Sequence, residues 1–481
     1  MGNLLIIIFF SSWVGIFHIF KVSTYGVTFL DLFTLAIYIL FAGRLIWKAE
    51  VYKFTGNPAI AALIIFSILV LISGLNPLIF PIGGNQMQFM KTSLHFYFLI
   101  GFTLVCAVYP FEEKTWTRMI RLWLITALLL NIFGVYQVFA RAYDLPFAWL
   151  DIVNASLSHR GEVSDTYRQL SISFKDFYRA TSIYSEPSAL AAFNVYIIAL
   201  LVVPLIQKSK PFFESKLLLW IMIAFAVLAE FLALSMTGFI GLFGVLMVML
   251  LIEKRFRLRQ LLIFFAILAS LLLAADIIAV RQFNVSVIDL FYSRISGIIN
   301  TLMGDSQSQI SGESLSGRLE SLGIAYRMWI AYPVFGVGMG LTQYYNDAGR
   351  VFLENAAAVV LAELGTVGFM FFVAIFVILA YYSIRFVRMD KSGLSPETAR
   401  LAGVIIYLLV NIILNNFITV NNLVTAGMWL PLGIVFGVIN LVRRSQNVNL
   451  YAFRLTHQPY RNKFAKFINQ YLTNNAEKLS K

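Results

Sequence analysis

Apolar runs broken by short polar segments recur along the whole chain, near residues 3–20, 27–43, 59–76, 92–109, 119–140, 189–206, 217–234, 238–252, 261–280, 352–382, 401–418 and 425–442. Wound as helices, runs of roughly 20 residues match the ~30 Å hydrocarbon layer of a bilayer. The pattern predicts an all-α polytopic membrane protein with about twelve transmembrane helices. The first run has no basic segment before it and no clear small-residue cleavage site, so it reads as a span and not as a signal peptide. Two connecting segments, 141–188 and 281–351, are long, polar and arginine-bearing. Neither has room for a soluble domain of its own, and both are expected to fold back over the membrane part as short helices. The transmembrane domain is expected over 1–442, with a basic tail at 443–481. No repeat of fixed period is visible, nor the matched pair of broken helices that marks many inverted-repeat transporters.

Composition agrees: of 481 residues, 59% are hydrophobic and 13% charged, with mean hydropathy +0.80. Soluble domains cannot hide that much apolar surface. The formal net charge of +13 raises nucleic acid or an anionic membrane as partners, and position decides between them. With the N-terminus inside, loops 44–58, 110–118 (with Arg121), 207–216, 253–260 and 383–400 hold 17 Lys and Arg. The short loops of the other side, 21–26, 77–91, 235–237 and 419–424, hold two, Lys21 and Lys91. By the positive-inside rule both termini are cytoplasmic. The tail adds eight more basic residues, interleaved with Tyr451, Phe453, Tyr460, Phe464 and Phe467, a pattern suited to an anionic leaflet. Nucleic acid is not the partner this distribution implies. The single cysteine, Cys106, lies inside an apolar run and excludes a disulfide framework.

An ionisable group at mid-bilayer costs about 3 kcal/mol on insertion scales, so its depth is informative. His18, Asp31, His95, Glu230 and Asp276 fall toward the outer ends of their runs, as do Tyr136, Gln137, Asn411, Asn415 and Asn416. Each alone reads first as an interfacial anchor. Together they point to a polar cavity open at the outer face, which favours binding or chemistry there over transport.

The histidines His18, His95, His159 and His457 are scattered and have no ligand partner at metal-site spacing, so no metal or other cofactor is expected. Gly336-Val-Gly338-Met-Gly340 lacks the Lys-Ser/Thr of a phosphate loop and reads as a re-entrant turn after Pro333. Gly238, Gly241 and Gly244 form a small-residue face for helix packing. Three other stretches carry candidate chemistry. Arg179 precedes Ser185-Glu186-Pro187-Ser188; Glu186 suits a first helical turn or a substrate contact, and Arg179 a headgroup phosphate or an anionic substrate. Ser316-Gly317-Arg318 opens a helix whose apolar arc is Leu319, Leu322, Ala325, Tyr326, Trp329 and Ile330. Arg318 lies at the edge of that arc and is the functional candidate, whereas Arg327, with Glu320, faces solvent. Glu354-Asn355 then opens an apolar stretch reaching Tyr382, longer than one span needs, so its first turns stand above the membrane or bend. Glu354 is either a helix N-terminal acid or a general base at the cavity mouth. Glu363, near Gly365 and Gly368, suits a structural hydrogen-bonding role.

Over residues 175–440 the chain resembles the O-antigen polymerase and O-antigen ligase superfamily. The resemblance rests on Arg179 before a middle span, on Ser316-Gly317-Arg318, on Pro333-Val-Phe-Gly336-Val-Gly338, and on Glu354-Asn355 followed by Glu363-Leu-Gly365. The ligase branch shows His-Asn where this chain has Glu354-Asn355, a departure that keeps a base but weakens the case for a ligase. The resemblance implies a GT-C-like bacterial inner-membrane glycosyltransferase, metal-independent and inverting, working at the periplasmic face on an undecaprenyl-pyrophosphate-linked oligosaccharide. A chain-length regulator and a flippase are its candidate partners. The implied catalytic residues are Glu354 as base with Arg179 and Arg318 on the pyrophosphate. Lys91, Glu186 and Asn355 are the implied substrate contacts. A repeat-unit polymerase is the leading reading. A ligase using another acceptor, a lipid-linked oligosaccharide flippase, and a structural membrane protein are the alternatives.

Overall fold

The described residues form fifteen α-helices: α1 (Gly2–Ser11), α2 (Phe29–Trp47), α3 (Pro58–Ser73), α4 (Leu75–Ile79), α5 (Asn85–Val108), α6 (Glu113–Ala142), α7 (Pro187–Ile206), α8 (Lys216–Ala233), α9 (Met236–Ile252), α10 (Leu258–Phe283), α11 (Val287–Leu302), α12 (Gln309–Ala331), α13 (Ala356–Arg388), α14 (Pro396–Leu414) and α15 (Ala426–Ser445). This computed structural model describes residues 1–22, 25–47, 57–79, 84–153, 167–169, 173–174, 177–253, 258–303, 309–345, 353–389, 391 and 393–445. The tail beyond Ser445, where an anionic-leaflet contact is expected, lies outside them.

Among the described residues, eleven of the twelve predicted runs fall on helices and the first does so in part. Among the described residues, nine helices are long and apolar enough to cross a membrane, and α1 and α9 are shorter apolar helices. The protein is a multi-pass, all-α membrane protein. Its first run is helical for less of its length than expected, because α1 ends at Ser11, tightens into a 3₁₀ turn to Ile16, and gives way to a hairpin pairing Phe20–Val22 with Tyr25–Val27.

Local chemistry sets the helix starts. Asn57, Ser215, Asn355 and Ser395 each accept a backbone N–H of the first turn of α3, α8, α13 and α14. Pro58, Pro187 and Pro396 occupy first-turn positions where a missing N–H costs nothing. The helices pack through one large apolar core in which α13 lies on α3, α15 on α5 and α7 on α8. Ring contacts tie these pairs, with Phe66 5.6 Å from Phe372 and Phe96 5.5 Å from Trp429.

Loops that the charge count assigns to one side converge at one end of the bundle. Ser395 and Thr398 donate to the Glu113 carboxylate. Buried Arg400 donates to the carbonyls of Lys210 (3.1 Å) and Pro211 (2.8 Å) and stacks over Phe212. Arg121 donates to the Phe212 carbonyl, and Arg444 to that of Phe111. These arginines therefore mark sidedness and also satisfy loop carbonyls.

The two long connecting segments differ from each other. Residues 281–351 carry α11 and α12, as expected. The segment 141–188 instead carries short antiparallel pairs among its described residues, Asp151–Ile152 with Tyr167–Arg168 and Ser173–Phe174 with Phe177–Tyr178. The described residues of that segment gather around a buried arginine.

Candidate functional site

That arginine is Arg141, at the end of α6. Its Nε donates to the Ala148 carbonyl (2.9 Å), Nη1 to the Arg179 carbonyl (2.6 Å), and Nη2 to Gln169 Oε1 (3.0 Å) and Thr181 Oγ1 (2.6 Å). Its guanidinium also lies 4.3 Å from the Trp149 ring centroid. Gln169 in turn donates to the carbonyls of Ser182 and Tyr184, and Thr181 donates to Gln137. The chain around Arg179 is thus clamped to α6, and the Ala180 N–H donates to the Leu232 carbonyl at the end of α8. Glu186 stands at the N-cap position of α7, where its carboxylate accepts from Ser188 and makes no backbone cap. Replacing Arg141 by Ala leaves buried acceptors without a donor. The expected loss is about 3 kcal/mol of stability, read as a lower unfolding temperature together with faster proteolysis within 141–188.

The second constellation forms where α13 is interrupted. Gly365 has φ +65° and ψ −166°, so the helix breaks there. A break inside a membrane protein leaves backbone groups that lipid cannot satisfy. Here the glycine-rich turn supplies the partners. Val337 and Gly338 donate to the carbonyls of Ala362 and Glu363, while Thr366 and Val367 donate to those of Pro333 and Val334. The Glu363 carboxylate accepts from the Gly340 N–H (2.8 Å) and the Thr342 hydroxyl (2.6 Å), which pins the far limb of the turn. Asn76 donates to the Val337 carbonyl from the opposite side. Glu363 has the structural role its position suggested, and the bend expected in the long apolar stretch is this break.

Immediately before α13 stand Glu354 and Asn355. The Glu354 N–H donates to Ser321 Oγ on α12 (2.9 Å), and its side chain is half-buried. Asn355 is buried and its Oδ1 caps α13 by accepting from the Ala358 N–H (2.8 Å). The N–H of Ala356 donates to the Val420 carbonyl, just past a π-turn at Asn415–Thr419. Arg318 occupies α12 one turn before Ser321, on the same line of positions; its side chain lies outside the described ones. The packed face of α12 is Ser321, Ile324, Ala325 and Met328, whereas Leu319, Leu322, Tyr326 and Ile330 are exposed. The apolar arc read from the sequence is therefore not the packing face, because a helix lying against a membrane protein presents apolar residues on its open side as well. Arg327 and Glu320 are exposed, as expected. Lys91, exposed on α5, adjoins Thr92, against which Gly340 packs.

The structure thus brings Glu354, Asn355 and the Arg318 position together and places Lys91 beside the glycine-rich turn. The Arg179 carbonyl is held by the Arg141 clamp, and Glu186 stands at the N-cap position of α7. Sequence reasoning did not single out Arg141, Gln169 or Thr181. An arginine at the outer end of a span, against the charge rule, was the available signal.

Residues 217–373 match the family model described as O-antigen ligase. Over that segment the chain is similar to the O-antigen polymerase and ligase superfamily. The matched segment contains Arg318, the glycine-rich turn, Glu354, Asn355 and Glu363; Lys91, Arg179 and Glu186 lie before it. No curated protein matches the chain significantly. Membrane-embedded glycan transfer of the polymerase or ligase type is the activity of this family.

Proposed function

We propose that this protein is a polysaccharide repeat-unit polymerase, joining oligosaccharides carried on undecaprenyl pyrophosphate at the outer face of a bacterial cytoplasmic membrane. The observation that carries the reading is the Glu354 N–H to Ser321 Oγ bond, which holds the Glu354 backbone against α12 one helical turn from the Arg318 position, inside the family-matched segment. Glu354 takes the proton of the acceptor sugar hydroxyl. The freed oxygen attacks the anomeric carbon of the donor from the face opposite the leaving group, forming a glycosidic C–O bond as the bond to lipid pyrophosphate breaks. The pyrophosphate carries away the electron pair, and the guanidinium groups of Arg318 and Arg179 meet its charge, with Lys91 assisting. Glu186 and Asn355 contact the substrate, Asn355 through the amide nitrogen that its capping role leaves available. The charge distribution of the loops supports a site on the outer side.

The description of the matching family favours a second reading, a ligase that moves the glycan to a different acceptor. Purified protein given lipid-linked repeat units alone separates the two. A polymerase yields a ladder of products, whereas an absence of any ladder until a second acceptor is added identifies a ligase.

A further inference from the structure

Four packed helices, α6 to α9, each bury a polar side chain. Glu230 on α8, Asn131 on α6 and Asn194 on α7 are fully buried, and Thr237 on α9 is 1% exposed. No hydrogen bond reaches either carboxylate oxygen of Glu230, either amide atom of Asn131 or Asn194, or the Thr237 hydroxyl. Native interiors satisfy the great majority of such atoms, so five such oxygens on four packed helices are a concentrated exception.

Helix register places them together. A Cβ built on Gly238 would stand 1.6 Å from Glu230 Oε1 and 2.8 Å from Ala191 Cβ, so the carboxyl sits between α7 and α9. Thr237 adjoins Gly238, and Asn194 lies one turn from Ala191 on α7. On α6, Gly134 meets Leu190, Ser182 and Ala180. Because α6 and α7 run antiparallel, Asn131, one turn below Gly134, comes level with Asn194. The glycine face of α9 continues the seam, since Gly241 packs on Asn411 and Val195.

We infer that Glu230, Asn131, Asn194 and Thr237 form a buried site for a monovalent alkali cation. The donor set is all oxygen, one carboxylate with two carboxamides and a hydroxyl, the chemistry that hard cations take. One carboxylate and one monovalent charge leave the layer neutral, whereas a lone carboxylate in this low-dielectric position is strongly disfavoured and a divalent ion leaves a net charge. The absence of a side chain at Gly238 makes room for the carboxyl, so the glycine face serves this layer as well as helix packing. The proposal does not depend on which glycan the protein transfers.

Thermal unfolding of the purified full-length chain tests it, in sodium, potassium or choline chloride at equal ionic strength. The wild type is expected to unfold about 5 °C higher in saturating sodium or potassium than in choline. The Glu230→Gln variant loses that rise, and Asn194→Ala needs at least tenfold more cation for half of it. Equal unfolding in alkali and choline salts overturns the site, as does a Glu230→Gln variant that keeps the rise. Should Glu230→Gln not be recovered folded, Asn194→Ala decides, and an unchanged half-saturating concentration overturns the proposal.

Discussion

Glu354→Gln is expected to lower the rate of glycan joining by a factor of about 10² to 10⁴, the range general-base removal produces, while the protein still inserts and melts normally. The substitution keeps the shape of the side chain, and the bond to Ser321 uses the backbone N–H, which glutamine retains. Only the ability to hold a proton is lost. Glu354→His is the informative counterpart. An imidazole is a competent base with an ordinary pKa of about 6.5, and the ligase branch of the superfamily carries His-Asn at the matching place. This variant is expected to keep measurable activity that falls as pH drops below about 6.5 and the ring protonates. Rates of ladder formation between pH 5 and 8 check both variants. If Glu354→Gln worked at the wild-type rate, the proton acceptor would have to be another group.

Gly365→Ala is expected to unfold the protein at temperatures the wild type tolerates. The backbone there, at φ +65° and ψ −166°, lies in a region essentially confined to glycine. An added Cβ would stand 2.4 Å from the Val334 carbonyl oxygen and 2.7 Å from the Gly336 nitrogen. These atoms belong to backbone that is itself hydrogen-bonded across the helix break, so neither can retreat without releasing bonds that lipid does not replace. The combined cost is about 4 kcal/mol or more, a large part of a typical stability of about 5–15 kcal/mol. Gly323→Ala on α12 is the control, because its Cβ would meet nothing closer than Arg327 Nη1 at 3.8 Å. It is expected to be neutral or mildly stabilising, as alanine is the better helix former. Unfolding temperatures in one detergent compare the two directly.

The bundle was legible in the sequence because span length and basic loops are set by the membrane itself. The apolar runs after the first lie on helices among the described residues, and the segments holding Arg121, Lys210, Glu253 and Arg400 meet at one end. The bend in α13 was also legible, since a run reaching from 352 to 382 exceeds one span and contains Gly365. Less accessible was the clamp around Arg141. Its partners Gln169, Thr181 and the Arg179 carbonyl lie 28 to 40 positions away, and no local periodicity announces them. The two-residue strands of 141–188 are too short to leave an alternating pattern. For α12 the arc of Leu319, Leu322 and Tyr326 was visible, but its direction was not. Burial of Ser321 in place of those residues follows from the Glu354 contact, which only tertiary structure supplies.

The claim that Glu354 and Arg318 act in one site is tested most directly by a double-mutant cycle on polymerisation rate. Glu354→Gln and Arg318→Ala are each expected to slow the reaction by about 100-fold or more, and the double variant to be little slower than the worse single, because residues that serve one transition state are not additive. Two losses that simply multiply, or either single variant working at the wild-type rate, would contradict the account.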